Sequence, residues 1–177
     1  MTATLRNTAT IADLAHARAR RQPDRTAFTA LDGDATPAAT LTAGELDLAA
    51  RALGARLRTL ALPGDRVLLP AMPGLGFHVA FLACLYARLV AVPTPPVRLS
   101  GRPGADRHTR LIAICRDCAP AAMVLPAARI DQLAVAWAGH PELAAVPLVS
   151  VEPHGDREPL PGPEPADAEE LALLQYT

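Results

Sequence analysis

The stretch that decides the fold of this chain is "LPGDRVLLPAMPGLGFHVAFLACLYARLVAVPTPP", residues 62–96. Pro63, Gly64 and Asp65 are turn residues. Val67 to Leu69 then run apolar without alternation, as a strand covered on both faces does. "MPGLGF" (72–77) opens a helix that continues to about Arg88 and is apolar nearly all round, so it too is buried. "LVAVPTPP" (89–96) is a second short buried strand, stopped by Pro93, Pro95 and Pro96. His78 and Arg88 interrupt the long apolar run, which therefore predicts a buried helix entering a strand and not a membrane span.

Toward the N-terminus, Thr42 and Glu45 form a capping box. The helix they start carries Leu46, Ala49, Ala50, Leu53 and Leu57 on one face. Before it come "TAFTAL" (26–31), with strand character, and the turn "DGDATP". A first helix is capped by Thr10 and runs to Arg21, with Ile11, Leu14, Ala15 and Arg18 as its stripe and Pro23 forcing its exit.

Toward the C-terminus, "VRLSGRPGADRH" reads as an exposed basic loop, followed by a helix at about 106–118. Next come a strand in "AAMVLP", a helix in "ARIDQLAVAWAG" and a strand in "VPLVSV". The alternation predicts an α/β fold, a layered and mainly parallel sheet with flanking helices. Residues 1–151 form this α/β unit. Residues 152–168 are an acidic, Pro-rich connector with no packing face, and 169–177 are a terminal buried strand, "LALLQYT".

Half of the 177 residues are hydrophobic and a fifth charged, a globular composition. A net charge of −1 gives no electrostatic basis for nucleic-acid binding. All 17 basic residues are arginine, so no phosphate-binding, Schiff-base or general-base lysine exists within the chain. Ser100 and Ser150 are the only serines, and neither lies in a G-x-S-x-G turn. The N-terminus lacks an apolar core of signal-peptide length. With only three cysteines, the chain reads as soluble and cytoplasmic.

Cys115 and Cys118 form a C-x-x-C, but structural zinc needs four ligands, and Cys84 lies on a different helix; the pair reads as packing. Gly74 and Gly76 begin a glycine fingerprint that fails at Val79, and "TPPVRL" holds no acidic residue at the ribose-binding distance. They read as a tight turn. His16 and His78 read as helix-face residues, and His108, His140 and His154 as loop residues. The acidic residues read mostly as caps and solvated faces, with the 164–170 cluster belonging to the connector. Arg98, Arg102, Arg107 and Arg110 are a basic concentration, a solvated loop or a small anionic contact, for example with a phosphopantetheine carrier. The residues alone offer no nucleophile, metal site or phosphate cradle.

Four stretches in order do resemble one family. "TLTAGELDLAARALGARLRTLALPGDRVLLPAMPGLGFHVAFLACLYARLVAVPTPP" is similar to the N-terminal portion of the adenylate-forming (AMP-binding) superfamily, and within it to fatty acyl-AMP ligases. The family's "GDRVLL", "PPGLEF", "FLGCLYAG" and "AVAVPxxPP" have counterparts in Gly64 to Leu69, Pro73 to Phe77, Phe81 to Tyr86 and Ala91 to Pro96. Arg88 stands where a small residue is usual, and Met72 where proline is common. The resemblance implies that "LALLQYT" leads into the Ser/Thr/Gly-rich phosphate loop, with Thr177 as the candidate nucleotide contact. It implies ATP with Mg²⁺, a fatty acid and an acyl carrier protein for a parent enzyme. The adenine contacts and the catalytic lysine would then lie beyond Thr177, so the 177 residues alone are expected to be inactive. A non-catalytic remnant or interaction module, or a fragment of an acyl-CoA synthetase, are the alternatives.

Overall fold

The computed structural model of the chain describes residues 10–97, 108–153, 158–167 and 169–176. Its framework is a four-stranded parallel sheet. Strands β3 (Arg66–Pro70), β4 (Val90–Thr94), β5 (Ala122–Leu125) and β6 (Leu148–Ser150) lie in the order β4-β3-β5-β6. Register is set by Leu68 opposite Val92 on one side and opposite Met123 on the other. The apolar run at 67–69 has the reason expected of it, since both faces of β3 are covered. Val67 and Leu69 pack in a cluster with Leu53 and Leu57 of helix α2 (Ala43–Leu57) and Ala80 and Ala83 of α3 (Gly76–Tyr86). Leu68 points the other way, into a cluster with Leu133 and Trp137 of α5 (Ala127–Trp137) and Ile114 of α4 (Thr109–Cys118).

Outside this sheet, β1 (Thr26–Leu31) and β2 (Pro37–Thr42) form an antiparallel hairpin, and a short α6 (Pro141–Ala144) precedes β6. Both expected capping boxes form, at Thr10 with Asp13 for α1 (Ile11–Arg21) and at Thr42 with Glu45 for α2. In α1, however, the predicted stripe is not the buried face. Ala12 and Ala19 are buried, while Ile11 and Leu14 are 68% and 60% exposed. Small residues let α1 approach its neighbours, and its larger apolar side chains are left facing outward.

Two further expectations are corrected. The connector does pack: Leu160 joins the first cluster, its N–H donates to the Arg51 carbonyl (3.2 Å), and the Glu164 N–H donates to the Tyr86 carbonyl (2.8 Å). Gly54 makes room for it, because a Cβ there would lie 2.9 Å from Leu160 Cδ1 and 3.3 Å from the Ala83 carbonyl oxygen. Nor is the terminal segment a buried strand. It meets β4 through one parallel bridge, Ala91 to Leu173, and leaves Leu171 and Leu173 61% and 41% exposed. It lies outside β4 on the sheet's edge, where only one of its sides has a covering layer.

Asp47 is the fourth correction, since it is no solvated acid. Its carboxylate is buried in α2, where it receives hydrogen bonds from Tyr86 Oη (2.8 Å, α3) and Arg51 Nε (2.8 Å) and pairs with His16 Nδ1 (2.7 Å, α1). Burial alone would push its pKa up, but the hydrogen bonds from His16, Tyr86 and Arg51 outweigh that and hold it below the ordinary value. Burial and the same contact raise the Tyr86 phenol, which stays a donor. Arg51 also donates to the Leu160 carbonyl (2.9 Å), so the carboxylate links three helices and the connector.

Two outcomes are expected for stability, both readable by urea unfolding. Leu53→Ala, at a fully buried site, should cost about 2–5 kcal/mol, whereas Leu62→Ala, at a site 69% exposed, should stay within about 0.5 kcal/mol. Asp47→Asn should cost about 1–3 kcal/mol at pH 7. Because the folded-state pKa is the lower one, the carboxylate's contribution is present above the unfolded value near ~4 and is lost as pH falls through the folded value. The gap between wild type and Asp47→Asn should therefore narrow below about pH 4; a gap that widens there would contradict the assignment.

Candidate functional site

Open parallel sheets place ligands beyond the carboxyl ends of their strands. The terminal segment runs toward that end. Ala91 N–H donates to the Ala172 carbonyl (3.0 Å) and Leu174 N–H to the Ala91 carbonyl (3.0 Å), which sets Leu173 beside Ala91 in parallel register. Three residues further on in each chain segment are Tyr176 and Thr94, the last residue of β4. Tyr176 is thus the final described residue of a segment delivered to the carboxyl edge of the sheet.

That end is held by side chains. Leu174 and Tyr176 pack against the second cluster. Tyr176 Oη donates to Asp117 Oδ2 of α4, a bond that with burial raises the phenol's pKa. Arg110 Nη2 approaches the Tyr176 carbonyl at 3.4 Å. Farther back, Arg88 pairs with Glu170 and Arg58 with Glu164 (3.1 Å). The arrangement can fix the direction of a chain segment, and none of these groups is a free nucleophile or base. Thr177 lies outside the described residues, as do Arg98, Arg102 and Arg107. Of the four arginines grouped by sequence, the structure places Arg110 at this edge.

Ser100 and His154 also lie outside the described residues, and of the remaining candidates the thiols resolve as packing. Cys84, Cys115 and Cys118 are buried free thiols. Burial pushes Cys84 up to about 12 and Cys115 up to about 11, so both stay protonated and inert near neutrality. Gly74 has φ +75, the left-handed turn expected before α3. Ser150 donates to Glu152 Oε2 (2.6 Å). His108 and His140 lie edge to face, with ring centroids 5.1 Å apart, a pairing their separation in sequence hides. Among the described residues, no group of three His, Cys, Asp or Glu side chains is placed to hold a metal, and no helix is long and apolar enough to cross a membrane.

A feature the sequence did not announce is an apolar cleft of about 400 Å³ between α1, α2, the hairpin and α3. Ile11, Leu14, Phe28, Phe77 and Phe81 line it, with Arg18 and Asp47 as its charged members. The outward stripe of α1 faces this cleft. Phe28 stacks on His78 across it, with centroids 4.0 Å apart.

Comparison with known proteins agrees with this geometry. The model of the AMP-binding enzyme family matches residues 15–177. The long-chain-fatty-acid–AMP ligase FadD26 of Mycobacterium marinum is 33% identical over 175 residues, covering 94% of this chain and 28% of the relative. The 4-hydroxyphenylalkanoate adenylyltransferase of the same organism is 29% identical and is covered over 27% of its length. Among solved structures, the fatty acyl-adenylate ligase of L. pneumophila, in complex with acyl adenylate and pyrophosphate, superposes with a TM-score of 0.66 at 29% identity, covering 82% of this chain and 24% of that one. The adenylation domain of a keto acid-selecting nonribosomal peptide synthetase module, at 17% identity and a TM-score of 0.75, shares the fold. The chain spans about a quarter of the length of these ligases. With a family match over nearly all its residues and a parallel sheet delivering its terminal segment to the carboxyl edge, the chain belongs to the AMP-binding enzymes.

Proposed function

We propose that this chain is the N-terminal scaffold of a fatty acyl-AMP ligase and that it positions the start of the phosphate-binding loop. The observation that carries the reading is the terminal segment: it is held in parallel register on β4 and ends at the carboxyl edge of the sheet, directly before Thr177. In the parent reaction, a fatty carboxylate oxygen would attack the α-phosphorus of ATP. The bond from that phosphorus to the bridging oxygen breaks, and pyrophosphate leaves with the electron pair. The thiol of an acyl carrier protein's pantetheine, losing its proton, would then attack the acyl carbon, and the bond to the phosphate oxygen breaks to release AMP. Such a displacement needs positioning and charge neutralisation, not a protein nucleophile. The described residues supply position.

In this reading Thr177 is the first loop residue to approach the nucleotide. The adenine contacts and the catalytic lysine come from the portion of the relatives that this chain does not span. Mg²⁺ accompanies the nucleotide and has no ligand assigned among these residues. The chain divides into the α/β unit of residues 1–151, the connector 152–168 and the loop-delivering segment 169–177.

Two measurements test the reading. The reading frame should continue past codon 177 into a Ser/Thr/Gly-rich loop, and the product of that frame should catalyse fatty-acid-dependent exchange of pyrophosphate into ATP. Purified residues 1–177 should show no such exchange. A stop codon directly after Thr177 would favour a non-catalytic remnant, and fatty-acid-dependent exchange by 1–177 alone would overturn the scaffold assignment.

A further inference from the structure

Arg88 is conformationally out of place. Its φ is +54, in the left-handed region that favours glycine, at the turn between α3 and β4. Its carbonyl accepts from Gly64 N–H (2.8 Å), which fixes the backbone there. Its guanidinium reaches across to the terminal segment, where Nε donates to Glu170 Oε2 (3.0 Å) and Nη2 to Glu170 Oε1, a two-pronged pairing. Glu170 is itself fixed, since Asp167 N–H donates to Oε1 (3.2 Å) and Glu170 N–H to the Asp167 carbonyl (3.1 Å).

The spacing gives the pair its meaning. Ala91 lies opposite Leu173, and Arg88 and Glu170 each precede those residues by three positions. The charged pair therefore sits at equivalent positions of the same parallel register. One bridge does not specify register well, because a one-residue slip exchanges the faces of every side chain. Here a slip would turn Leu174 and Tyr176 out of the second cluster and turn Leu173 and Gln175 in.

We propose that Arg88 and Glu170 are positioning residues that lock the register of segment 169–176 on β4. Through that register they set where the chain leaves the sheet after Tyr176. The functional meaning of this lock rests on the scaffold reading; the lock itself does not.

The test is hydrogen exchange by NMR on the 177-residue chain, read at the Ala91 and Leu174 amides that hold the segment. The Val90 amide, bonded to the Asp65 carbonyl (2.9 Å), reports opening of the sheet itself. Glu170→Gln and Arg88→Gly should each speed exchange at Ala91 and Leu174 about fivefold while leaving Val90 unchanged. Glycine suits the left-handed backbone at 88, so Arg88→Gly separates loss of the pair from misfolding. Arg88→Met, which keeps a long side chain without charge, should behave like Arg88→Gly. The exchanged pair Arg88→Glu with Glu170→Arg should recover most of the protection. Unchanged exchange at both amides in Glu170→Gln and Arg88→Gly, or full protection in Arg88→Met, would overturn the lock. Neither ATP nor an acyl substrate enters the readout, so failure of the lock and failure of the ligase reading are separate results.

Discussion

A carboxylate withdrawn from water constrains everything built around it. Burying the ionised Asp47 unpaired would be prohibitive, so its oxygens must be met by donors. Those donors come from α1, α2 and α3, and the three helices are thereby fixed in rotation as well as in distance. Hydrophobic contact among Leu53, Leu57, Ala80 and Ala83 supplies the larger stabilisation but is non-directional. The hydrogen bonds supply direction. Arg51 extends the constraint to the Leu160 carbonyl, and with it the proline-rich connector is seated on α2 instead of leaving the surface.

The seating of the connector determines the path of the terminal segment. From Leu160 the chain passes Glu164, which bonds the Tyr86 carbonyl at the end of α3. It then turns at 167–170 and meets β4. Tyr86 is common to both halves of this path, its hydroxyl on Asp47 and its carbonyl under Glu164. The helix ending "CLY" thus serves the core and the terminal segment together.

The central βαβ unit was legible because its signal was redundant. Val67 to Leu69 and the all-round apolar α3 each pointed to burial, and parallel sheets demand burial on both faces, while Pro93, expected to stop β4, lies within it. The capping boxes at Thr10 and Thr42 were legible because capping is local chemistry. What failed was whatever depended on partners distant in sequence. Asp47 carries no local mark separating it from a solvated helix acid; its partner Tyr86 is 39 residues away. The α1 stripe had the right period but the wrong face, because Ala12 and Ala19 permit closer packing than Ile11 and Leu14. "LALLQYT" had the composition of a core strand, yet burial depends on having layers on both sides, which composition cannot report. At the candidate site, Arg110, Asp117 and Tyr176 became a group only through the fold.

The edge position of that segment explains why charged side chains accumulate along it. A central strand is held by two ladders and two apolar layers, and needs no help to find its register. A segment with one bridge and one covered face has only a fraction of that. Arg88 and Arg110, from the α3–β4 turn and α4, reach it at successive points, and Arg58, at the end of α2, holds the connector just before it through Glu164. Exposed pairs of this kind contribute little to global stability. Their geometric effect is larger, because each removes one alternative placement of a chain that backbone pairing alone leaves underdetermined. Arginine suits the task through its long reach and planar fork, which hold a carboxylate or a carbonyl in a fixed direction. The absence of lysine, which in the sequence reads as a loss of catalytic options, thus leaves this chain with the better cation for positioning.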